Sequence, residues 1–407
     1  MIGSADQEAP KCGPEVAPAE RSHMDRAWEI SLMGWGRVHP NPMVGCVLAR
    51  GDEVVGEGFH AEFGRSHAEI VALAEAGDRS FGAAAFVTLE PCAHLGKTPS
   101  CARALYNAGI ERVVFGAADP GPGAGGAQWL ESRGIPTTGP VWSARSARTH
   151  NPAFFHEHGP HRRGGRSGSD TGNPKTPYLA IKLAMSLDAR IAAKPGETTR
   201  ITGDDAQVET HRLRSGFDAI VVGSGTALVD DPSLTVRRAA QGRPPARVVV
   251  DSRALLPPTA RMATDGKAPV HVLTTRSASP ERVARLEAAG VRVHRVPGGD
   301  EGRVDLRAAL VLTWRLGMRS LLCEGGGALA SGFLETGLAS HVYLFTAPKL
   351  LGGRGVPAFP DGERAFPMAG ASVWRPVAAP RRLGEDLLQV FETTREDLEC
   401  SQASSKP

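Results

Sequence analysis

The hydrophobic and polar positions of this chain follow two alternating patterns, short apolar runs and longer amphipathic stretches. Short apolar runs bounded by turn residues predict strands, and apolar positions three or four residues apart predict helices. In the first half the pattern predicts helices over residues 25–35, 67–76 and 101–108, and strands over 43–49, 53–58, 83–88 and 111–115. Strands that alternate with helices are typical of an α/β sandwich.

The second half repeats the alternation with new elements. Its apolar runs predict strands over residues 179–185, 219–222, 247–250, 270–274, 291–296, 320–323 and 341–346. Amphipathic stretches between them predict helices over 204–215, 280–289 and 305–316. The sequence therefore predicts a second α/β domain.

Between the halves, residues 161–177 read HRRGGRSGSDTGNPKTP and have no apolar periodicity. A segment rich in Gly, Ser, Arg and Pro cannot help to build a core, so it is interpreted as a solvated linker. A contact of its basic run with phosphate or RNA is the less favoured alternative. We expect a disordered extension over 1–23, a first domain over 24–157, a linker over 158–176, a second domain over 177–395 and a tail over 396–407.

Composition narrows the class of protein. A hydrophobic content of 41% and a charged content of 22% are ordinary for a globular protein, and a net charge of +3 is too small to indicate nucleic acid. No apolar run approaches the roughly 20 residues that cross a bilayer. Six scattered cysteines do not form a disulfide framework. These features favour a cytoplasmic protein with small-molecule substrates and neither membrane nor nucleic-acid partners.

Three short motifs in the first half carry candidate chemistry. They are H-P-N-P-M-V-G from His39, H-A-E from His67, and P-C from Pro91 followed by a second cysteine at Cys101. Each motif alone is weak, because a lone histidine usually lies in a core or on a surface. In combination, H-x-E at a helix start followed by P-C at another is the signature of zinc-dependent nucleobase deaminases.

The residue types suit that chemistry. A catalytic zinc takes three protein ligands and keeps its fourth position for water, whose pKa it lowers. The sequence therefore predicts His67, Cys92 and Cys101 as zinc ligands. A carboxylate two residues from the histidine, Glu69, is predicted to take the proton of the water and to pass protons to the ring nitrogen and the leaving amine.

The spacing of the two cysteines points to one family. Most such deaminases have P-C-x-x-C, whereas T-L-E-P-C-A-H-L-G-K-T-P-S-C here separates Cys92 and Cys101 by eight residues. From about residue 24 to 126 the chain resembles the deaminase domain of the bifunctional riboflavin-biosynthesis enzymes, which implies a cytidine-deaminase-like α/β/α sandwich. Gly121 stands where that family has Asn in D-P-N-P. The resemblance implies substrate contacts from Asn41, His60, His94, Lys97 and Asp119.

The second half resembles the reductase domain of the same family in K-L-A-M-S-L-D from Lys182, D-D-P-S-L-T-V-R from Asp230 and E-G-G-G from Glu324. This resemblance implies a mixed sheet flanked by helices, like that of dihydrofolate reductase. From the residues alone, E-G-G-G follows a predicted strand and precedes an apolar run. Such a turn leaves backbone N–H groups for a cofactor pyrophosphate, although glycines there can equally shape a tight turn.

The same resemblance implies the roles of further residues. Lys182 and Glu324 are expected nearest the hydride-transfer centre; the alternative is a structural ion pair between neighbouring strands. Substrate contacts are implied for Thr198, Arg214, Leu234, Arg237 and Glu324. Contacts with NADPH are implied for Ala184, Arg200, Thr226, Asp230, Ser252, Gly326, Gly327 and Gly332.

Guanidinium groups such as those of Arg214 and Arg237 bind a phosphate bidentately, although both can instead form surface ion pairs. Two positions depart from the family pattern: Arg200 replaces a Trp, and Ala189 replaces a Gly. A cation at position 200 can still stack on a cofactor or meet its phosphate.

The expected function is therefore bifunctional. Zinc-dependent deamination of 2,5-diamino-6-(5-phosphoribosylamino)pyrimidin-4-one is followed by NADPH reduction of the ribosyl group to ribityl. Alternatives are a paralogue in a specialised-metabolite pathway, an RNA-editing deaminase, an active deaminase with a degenerate reductase domain, and a non-catalytic scaffold. Cysteine spacing and weak net charge disfavour RNA editing. Whether the chain forms a homo-oligomer stays open.

Overall fold

A computed structural model of the chain describes residues 14, 16–93, 100–159, 175–239, 242–360 and 371–394. The chain divides into two compact units, Met1–Asp170 and Thr171–Pro407. Each unit has its own sheet and its own apolar core. Most of the predicted linker, most of the N-terminal extension and the whole predicted tail lie outside the described residues.

The first unit is built on a five-stranded sheet with the order β2-β1-β3-β4-β5. Strand β1 pairs antiparallel with β2 and β3, whereas β3, β4 and β5 run parallel. The strand bounds are β1 Gly45–Arg50, β2 Glu53–Phe59, β3 Ala84–Leu89, β4 Arg112–Ala117 and β5 Thr137–Thr138.

Helices cover both faces of this sheet. Their bounds are α1 Pro18–Ser31, α2 Ala68–Ala76, α3 Cys101–Asn107, α4 Gly126–Glu131, α5 Ala144–His150 and α6 Pro152–His158, with 3-10 turns at Leu32–Gly34 and Gly77–Ser80. Cys46 and Leu48 of β1 pack with α2, α3 and α4, while Val47 and Ala49 point to the opposite face and pack with α1. This alternation confirms the predicted α/β/α sandwich.

Two local predictions for this unit need correction. Helix α1 begins at Pro18, so the helix predicted over residues 25–35 starts seven residues too late, and residues 18–23, expected in the disordered extension, are helical. A proline is favourable in the first helical position, and the backbone N–H of Ala17 donates to Glu20 Oε2 at 3.2 Å. Helices α5 and α6, each seven residues long, were not predicted.

The second unit is built on a ten-stranded mixed sheet. Along the order β11-β10-β9-β8-β12-β6-β13 the strands are parallel, and β17, β15 and β16 add an antiparallel edge. Strands β7 and β14 form a separate pair. The bounds are β6 Tyr178–Ser186, β7 Arg190–Ala192, β8 Ala219–Gly223, β9 Ala246–Val250, β10 Val270–Thr274, β11 Arg292–Arg295, β12 Ser320–Cys323, β13 His341–Ala347, β14 Val356–Pro357, β15 Trp374–Pro376, β16 Arg381–Leu383 and β17 Asp386–Thr393.

Helices of the second unit follow most of the parallel strands. Their bounds are α7 Asp204–Ser215, α8 Ser224–Asp230, α9 Arg261–Thr264, α10 Pro280–Ala288, α11 Leu306–Arg315 and α12 Gly327–Glu335. Leu310 of α11 and Phe333 of α12 pack in one core with Ile181 and Val221 of the sheet. The mixed sheet with flanking helices is the predicted architecture. No helix in the described part of either unit is long and apolar enough to cross a membrane.

All seven strands predicted for this half are confirmed, with small shifts of their bounds. The antiparallel edge was missed, because its strands do not show the continuous apolar runs of buried parallel strands. Asp386, for example, begins β17 and is buried, and its Oδ2 accepts the backbone N–H of Gly203 at 2.7 Å.

We expect the second unit to fold without the first. Each unit has its own core, so a fragment beginning at Asn173 should be soluble and unfold in one cooperative transition. Circular dichroism during heating measures this directly. Insolubility of the fragment, with the full chain soluble under the same conditions, would show that the boundary or the autonomy is wrong.

Candidate active sites

His67 and Glu69 are placed by a close approach of β2 to helix α2. His67 is the residue before the helix, and Glu69 lies in its first turn. A Cβ at Gly58 would lie 2.3 Å from the carbonyl oxygen of Ala68 and 2.4 Å from the nitrogen of Ala72. Only glycine allows this approach, so Gly58 fixes the start of the helix against the strand.

Cys92 and Cys101 meet at the beginning of helix α3. Cys92 follows β3, and Cys101 is the first residue of α3, whose N-cap Ser100 accepts the backbone N–H of Arg103 at 3.3 Å. The backbone N–H of Cys101 donates to Cys92 Sγ at 3.3 Å, and that of Ala102 donates to the Cys92 carbonyl at 3.2 Å. The helix N-terminus thus holds Cys92 and favours its thiolate.

The structure brings the three predicted metal ligands together. His67 Nδ1 lies 3.2 Å from Cys101 Sγ and 3.7 Å from Cys92 Sγ, and the three donor atoms lie within 4.8 Å of one another. The hydrogen bond with Cys101 lowers the pKa of the Cys92 thiol to about 4 and raises that of Cys101. One imidazole nitrogen and two sulfurs at this separation fit a tetrahedral zinc with one position left for water.

Glu69 lies beside this donor cluster and is 3% exposed. Burial raises the pKa of its carboxyl group, and its charge interacts with Cys92 and His67. A carboxyl group held in a buried position next to the three ligands is placed to exchange a proton with a molecule bound there.

Asn41 and His60 form a second polar pair near His67. The His60 ring is buried, its Nδ1 lies 3.0 Å from the carbonyl oxygen of Ser66, and its centroid lies 5.5 Å from that of His67. Because a carbonyl only accepts, Nδ1 carries the proton and Nε2 accepts from Asn41 Nδ2 at 3.1 Å. Burial lowers the pKa of His60, which favours this neutral form. The oxygen of the Asn41 amide is then oriented as an acceptor for a ligand N–H.

Asp119 begins a loop that packs on the segment carrying Cys92. Its Oδ1 accepts the backbone N–H of Gly121 at 2.7 Å, and burial raises its pKa. A Cβ at Gly123 would lie 2.4 Å from Asp119 Oδ2 and 3.4 Å from the Cβ of Cys92. This loop therefore borders the donor cluster of His67, Cys92 and Cys101. His94 and Lys97, also predicted to contact substrate, lie outside the described residues.

Glu90 holds this loop and was not predicted as a site residue. Its Oε1 accepts the backbone N–H groups of Gly125 at 3.0 Å and Ala127 at 3.1 Å, and its Oε2 accepts that of Asp119 at 3.3 Å. The signal was present in the sequence, because Glu90 stands in the T-L-E-P-C motif two residues before Cys92.

In the second unit the E-G-G-G turn lies against the end of β8. A Cβ at Gly325 would lie 2.6 Å from the Cα of Val222, and the backbone N–H of Gly326 donates to Thr226 Oγ1 at 2.8 Å. The N-termini of α8 and α12 therefore lie side by side at the carboxyl ends of neighbouring parallel strands. In open α/β sheets this edge is where ligands bind.

Glu324 forms a buried ion pair with Arg214. Arg214 Nε and Nη2 donate to the two oxygens of Glu324 at 2.6 Å and 2.8 Å, and Nη1 donates to the carbonyl oxygen of Thr235 at 3.0 Å. Burial opposes ionisation of Glu324, but Arg214 and Lys182 outweigh it and lower its pKa. Burial lowers the pKa of Lys182, whose Nζ lies 5.3 Å from the centre of the Phe345 ring.

Arg237 lies next to this pair but has an exposed side chain. Its Nη1 donates to Thr235 Oγ1 at 2.8 Å, and its backbone N–H donates to His211 Nδ1 at 3.2 Å. Burial and the charges of Arg214 and Arg237 lower the pKa of His211 to about 4, so this imidazole is neutral. His211, which no sequence motif had indicated, orients the Arg237 backbone. Leu234, in the same loop, is buried with φ +50°.

Thr198, Asp230 and Arg200, which were also predicted as reductase site residues, make polar contacts with other side chains. Thr198 Oγ1 donates to Asp230 Oδ1 at 2.6 Å, which joins a predicted substrate contact to a predicted cofactor contact. Arg200 is exposed, and its Nη2 lies 3.0 Å from Asp204 Oδ1, an atom that Arg238 Nη1 also contacts at 3.0 Å. Ala189, which stands where the family has Gly, adopts a φ of +55°, a left-handed conformation that favours glycine.

The last group of predicted cofactor residues makes contacts within the protein. Ser252 Oγ accepts the backbone N–H of Val304 at 3.0 Å. Gly332 lies in the middle of α12, where a Cβ would be 2.9 Å from Leu306. Ala184 and Gly327 lie on β6 and at the start of α12 respectively.

Family models match both units. Residues 18–117 match the cytidine and deoxycytidylate deaminase zinc-binding region, and residues 177–372 match the RibD C-terminal domain. The first unit is therefore a zinc-binding deaminase domain, and the second is a RibD-type reductase domain.

Relatives match nearly the whole chain. The riboflavin biosynthesis protein RibD of Bacillus amyloliquefaciens is 34% identical over 84% of this chain and 88% of its own length, and that of Escherichia coli is 34% identical over 84% and 92%. The structure of Acinetobacter baumannii RibD is similar with a TM-score of 0.74 at 32% identity, covering 93% of this chain and 99% of that chain.

A Thermotoga maritima structure, described as a diaminohydroxyphosphoribosylaminopyrimidine deaminase/5-amino-6-(5-phosphoribosylamino)uracil reductase, also has a TM-score of 0.74, at 28% identity over 92% of this chain and 99% of that chain. With two matched domains in the same order and curated relatives above 30% identity, the chain belongs to the RibD family of riboflavin biosynthesis proteins.

Proposed function

We propose that this chain carries out two consecutive reactions of riboflavin biosynthesis. The first unit deaminates 2,5-diamino-6-(5-phosphoribosylamino)pyrimidin-4-one, and the second reduces the ribosyl group of the product to ribityl with NADPH. The observation that carries the proposal is the convergence of His67, Cys92 and Cys101 around one point beside buried Glu69. The Thermotoga maritima relative, whose description names both activities, supports the pairing of the two reactions.

In the deaminase unit, His67, Cys92 and Cys101 would hold the zinc. When bound, zinc supplies Lewis acidity that lowers the pKa of a water molecule. Glu69 takes one proton from the attacking water and delivers it to the ring nitrogen. It then takes the remaining proton from the hydroxyl group added to the ring carbon and delivers it to the amine, so that the C–N bond breaks, a carbonyl forms and ammonia leaves. Its buried position close to the ligands keeps this transfer short.

The remaining deaminase residues bind the substrate. The amide oxygen of Asn41, oriented by the neutral His60, accepts an N–H of the pyrimidine. Asp119 contacts the substrate from the loop that Glu90 holds against the Cys92 segment. The resemblance to the family also assigns substrate contacts to His94 and Lys97, and the ammonium group of Lys97 suits a ribose phosphate.

In the reductase unit, the start of α12 at Gly327 and the start of α8 would bind the cofactor pyrophosphate through backbone N–H groups. The N–H of Gly326 donates to Thr226 Oγ1 instead, which holds the two helix starts together. NADPH supplies the hydride for the ribosyl carbon when it is bound. Cofactor contacts are assigned to Ala184, Arg200, Thr226, Asp230, Ser252, Gly326, Gly327 and Gly332.

Lys182 and Glu324 would lie at the reacting carbon of the reductase. Because burial lowers the pKa of Lys182, its ammonium group gives up a proton more readily than an exposed lysine does. Arg214 holds the Glu324 carboxylate with two hydrogen bonds.

Substrate binding in the reductase unit falls mainly to cations and one hydroxyl. Arg237, whose side chain is exposed, meets the ribose phosphate. Thr198, Leu234 and Arg214 complete the substrate contacts. We infer that both units act on small phosphoribosylaminopyrimidines in the cytoplasm.

Zinc content tests the metal site. Purified protein should carry about one zinc per chain, because three ligands with a thiolate pair bind this ion strongly. The Cys92→Ala/Cys101→Ala double variant should lose it by elemental analysis. Cys323→Ala, which removes a buried thiol from the second unit, should keep it. Zinc at parental level in the double variant would place the metal elsewhere.

Glu69→Gln tests the proton carrier. The variant should keep zinc but release ammonia about 10²–10⁴ times more slowly, because an amide cannot carry the proton. Reduction of supplied 5-amino-6-(5-phosphoribosylamino)uracil should continue at the parental rate. Glu75→Gln, at an exposed position of the same helix, is the matched control and should deaminate normally. Near-parental ammonia release by Glu69→Gln would remove Glu69 from the mechanism.

Arg237→Ala tests phosphate binding in the reductase. It should raise the KM for 5-amino-6-(5-phosphoribosylamino)uracil roughly ten- to hundredfold and leave that for NADPH nearly unchanged, because the lost charge lies on the substrate side. Arg382→Ala, which removes an exposed arginine from β16, should change neither. An equal rise in both KM values would contradict the assignment.

Arg200→Trp tests the departure from the family pattern. Arg200 is exposed and paired with Asp204, so its replacement by Trp should preserve or improve NADPH affinity, measured by fluorescence titration. If the wild-type chain shows no NADPH binding at millimolar concentration, the second unit is a degenerate reductase.

A further inference from the structure

The segment containing α5 and α6 lies outside the matched zinc-binding region, which ends at residue 117. Asn151 joins the two helices and is 5% exposed. Its side chain does not face solvent but reaches the loop that follows the H-P-N-P motif, 108 residues earlier in the chain.

Asn151 binds both backbone polar groups of a single residue, Met43. Its Oδ1 accepts the backbone N–H of Met43 at 2.8 Å, and its Nδ2 donates to the Met43 carbonyl at 3.0 Å. Such a two-point contact needs one donor and one acceptor in a fixed plane, which among side chains of this size only an amide supplies. The contact fixes both the position and the orientation of the Met43 backbone.

A buried network fixes the orientation of the Asn151 amide. Ser31 Oγ donates to the carbonyl oxygen of Trp28 at 2.6 Å, so it accepts from His150 Nε2 at 2.7 Å. His150 Nδ1 is then unprotonated and accepts from Asn151 Nδ2 at 2.9 Å. Burial lowers the pKa of His150 to about 3, so the ring stays neutral. Each donor in the network has one acceptor, and only one orientation of the amide satisfies them all.

The backbone held by Asn151 leads directly to the pyrimidine-contacting side chain. Asn41 lies two residues before Met43, and its Nδ2 donates to His60 Nε2 at 3.1 Å. The next residue, Val44, accepts the backbone N–H of His60 at 2.9 Å. The loop is therefore attached to His60 at Val44 and through the Asn41 side chain, and to Asn151 at Met43.

We propose that Asn151 is a positioning residue for pyrimidine recognition: it holds the Met43 backbone so that the Asn41 amide stays aligned with His60 and presents its oxygen to the ring. The proposal rests on the deaminase function proposed above. Helices α5 and α6 are then part of the deaminase site, although the matched zinc-binding region does not include them.

The test compares Asn151→Ala and Asn151→Asp with the parental full-length chain, using the diaminopyrimidine phosphate as substrate. Asn151→Asp keeps an acceptor for the Met43 N–H but cannot donate to the Met43 carbonyl. Both variants should raise the KM for deamination roughly tenfold or more, with a smaller change in kcat. Zinc content and NADPH-dependent reduction should remain at parental values.

A double-mutant cycle with Asn41→Ala separates positioning from general stability. If Asn151 acts through Asn41, adding Asn151→Ala to Asn41→Ala should raise KM no further. His23→Ala is the structural control, because His23 is also buried and its Nε2 bonds a backbone carbonyl, that of Gly51. It should lower the melting temperature and leave KM unchanged.

Other outcomes would refute either the positioning role of Asn151 or the proposed deaminase function. Parental KM in both Asn151 variants, multiplicative effects in the cycle, or a similar KM rise in His23→Ala would refute the positioning role. Insolubility of both Asn151 variants would make Asn151 a folding residue and refute it as well. A parental chain that releases no ammonia refutes the proposed deaminase function instead.

Discussion

Backbone lies directly against backbone at the carboxyl ends of the central strands in both units. A Cβ at Gly126 would lie 1.7 Å from the carbonyl oxygen of Pro91, and one at Gly325 would lie 2.6 Å from the Cα of Val222. At both places only glycine allows the turn after one strand to reach the backbone beside it. The first contact brings a loop against the Cys92 segment, and the second joins two helix N-termini. Both candidate sites depend on this absence of side chains.

Carboxylates hold loops through backbone N–H groups in both units. Glu90 accepts three backbone N–H groups of the loop that begins at Asp119. In the second unit Asp188 accepts the backbone N–H groups of Leu351 at 3.1 Å and Gly352 at 2.6 Å. Buried or partly buried backbone groups must find partners, and a carboxylate can satisfy several at once. Glu90 is therefore a structural part of a site whose chemistry other residues perform.

Sequence reasoning found the parts of the sites that are encoded in short motifs. H-x-E and P-C identify His67, Glu69 and Cys92, because a helix start fixes their relative positions locally. It did not find contacts between distant residues. The Arg214 pair with Glu324 spans 110 residues, and the Asn151 contact with Met43 spans 108. Such contacts depend on tertiary packing, which periodicity does not specify, so the buried pairing of Arg214 with Glu324 was not predicted.

The two sites use different physical means of recognition. In the deaminase site both ring nitrogens of His60 have a fixed role: Nδ1 donates to the Ser66 carbonyl and Nε2 accepts from Asn41. The site is therefore suited to bind a ligand with a matching pattern of hydrogen-bond donors and acceptors. In the reductase site Arg214 neutralises Glu324, whereas the exposed Arg237 has no carboxylate partner among the residues that the structure describes. His211 adds no charge, since its pKa is about 4. A phosphate dianion shared by both substrates would be bound strongly by such a surface. The Asn41–His60 pair in the first unit suits recognition of a pyrimidine by its donors and acceptors, because a site with fixed hydrogen-bond partners penalises a mismatched ring.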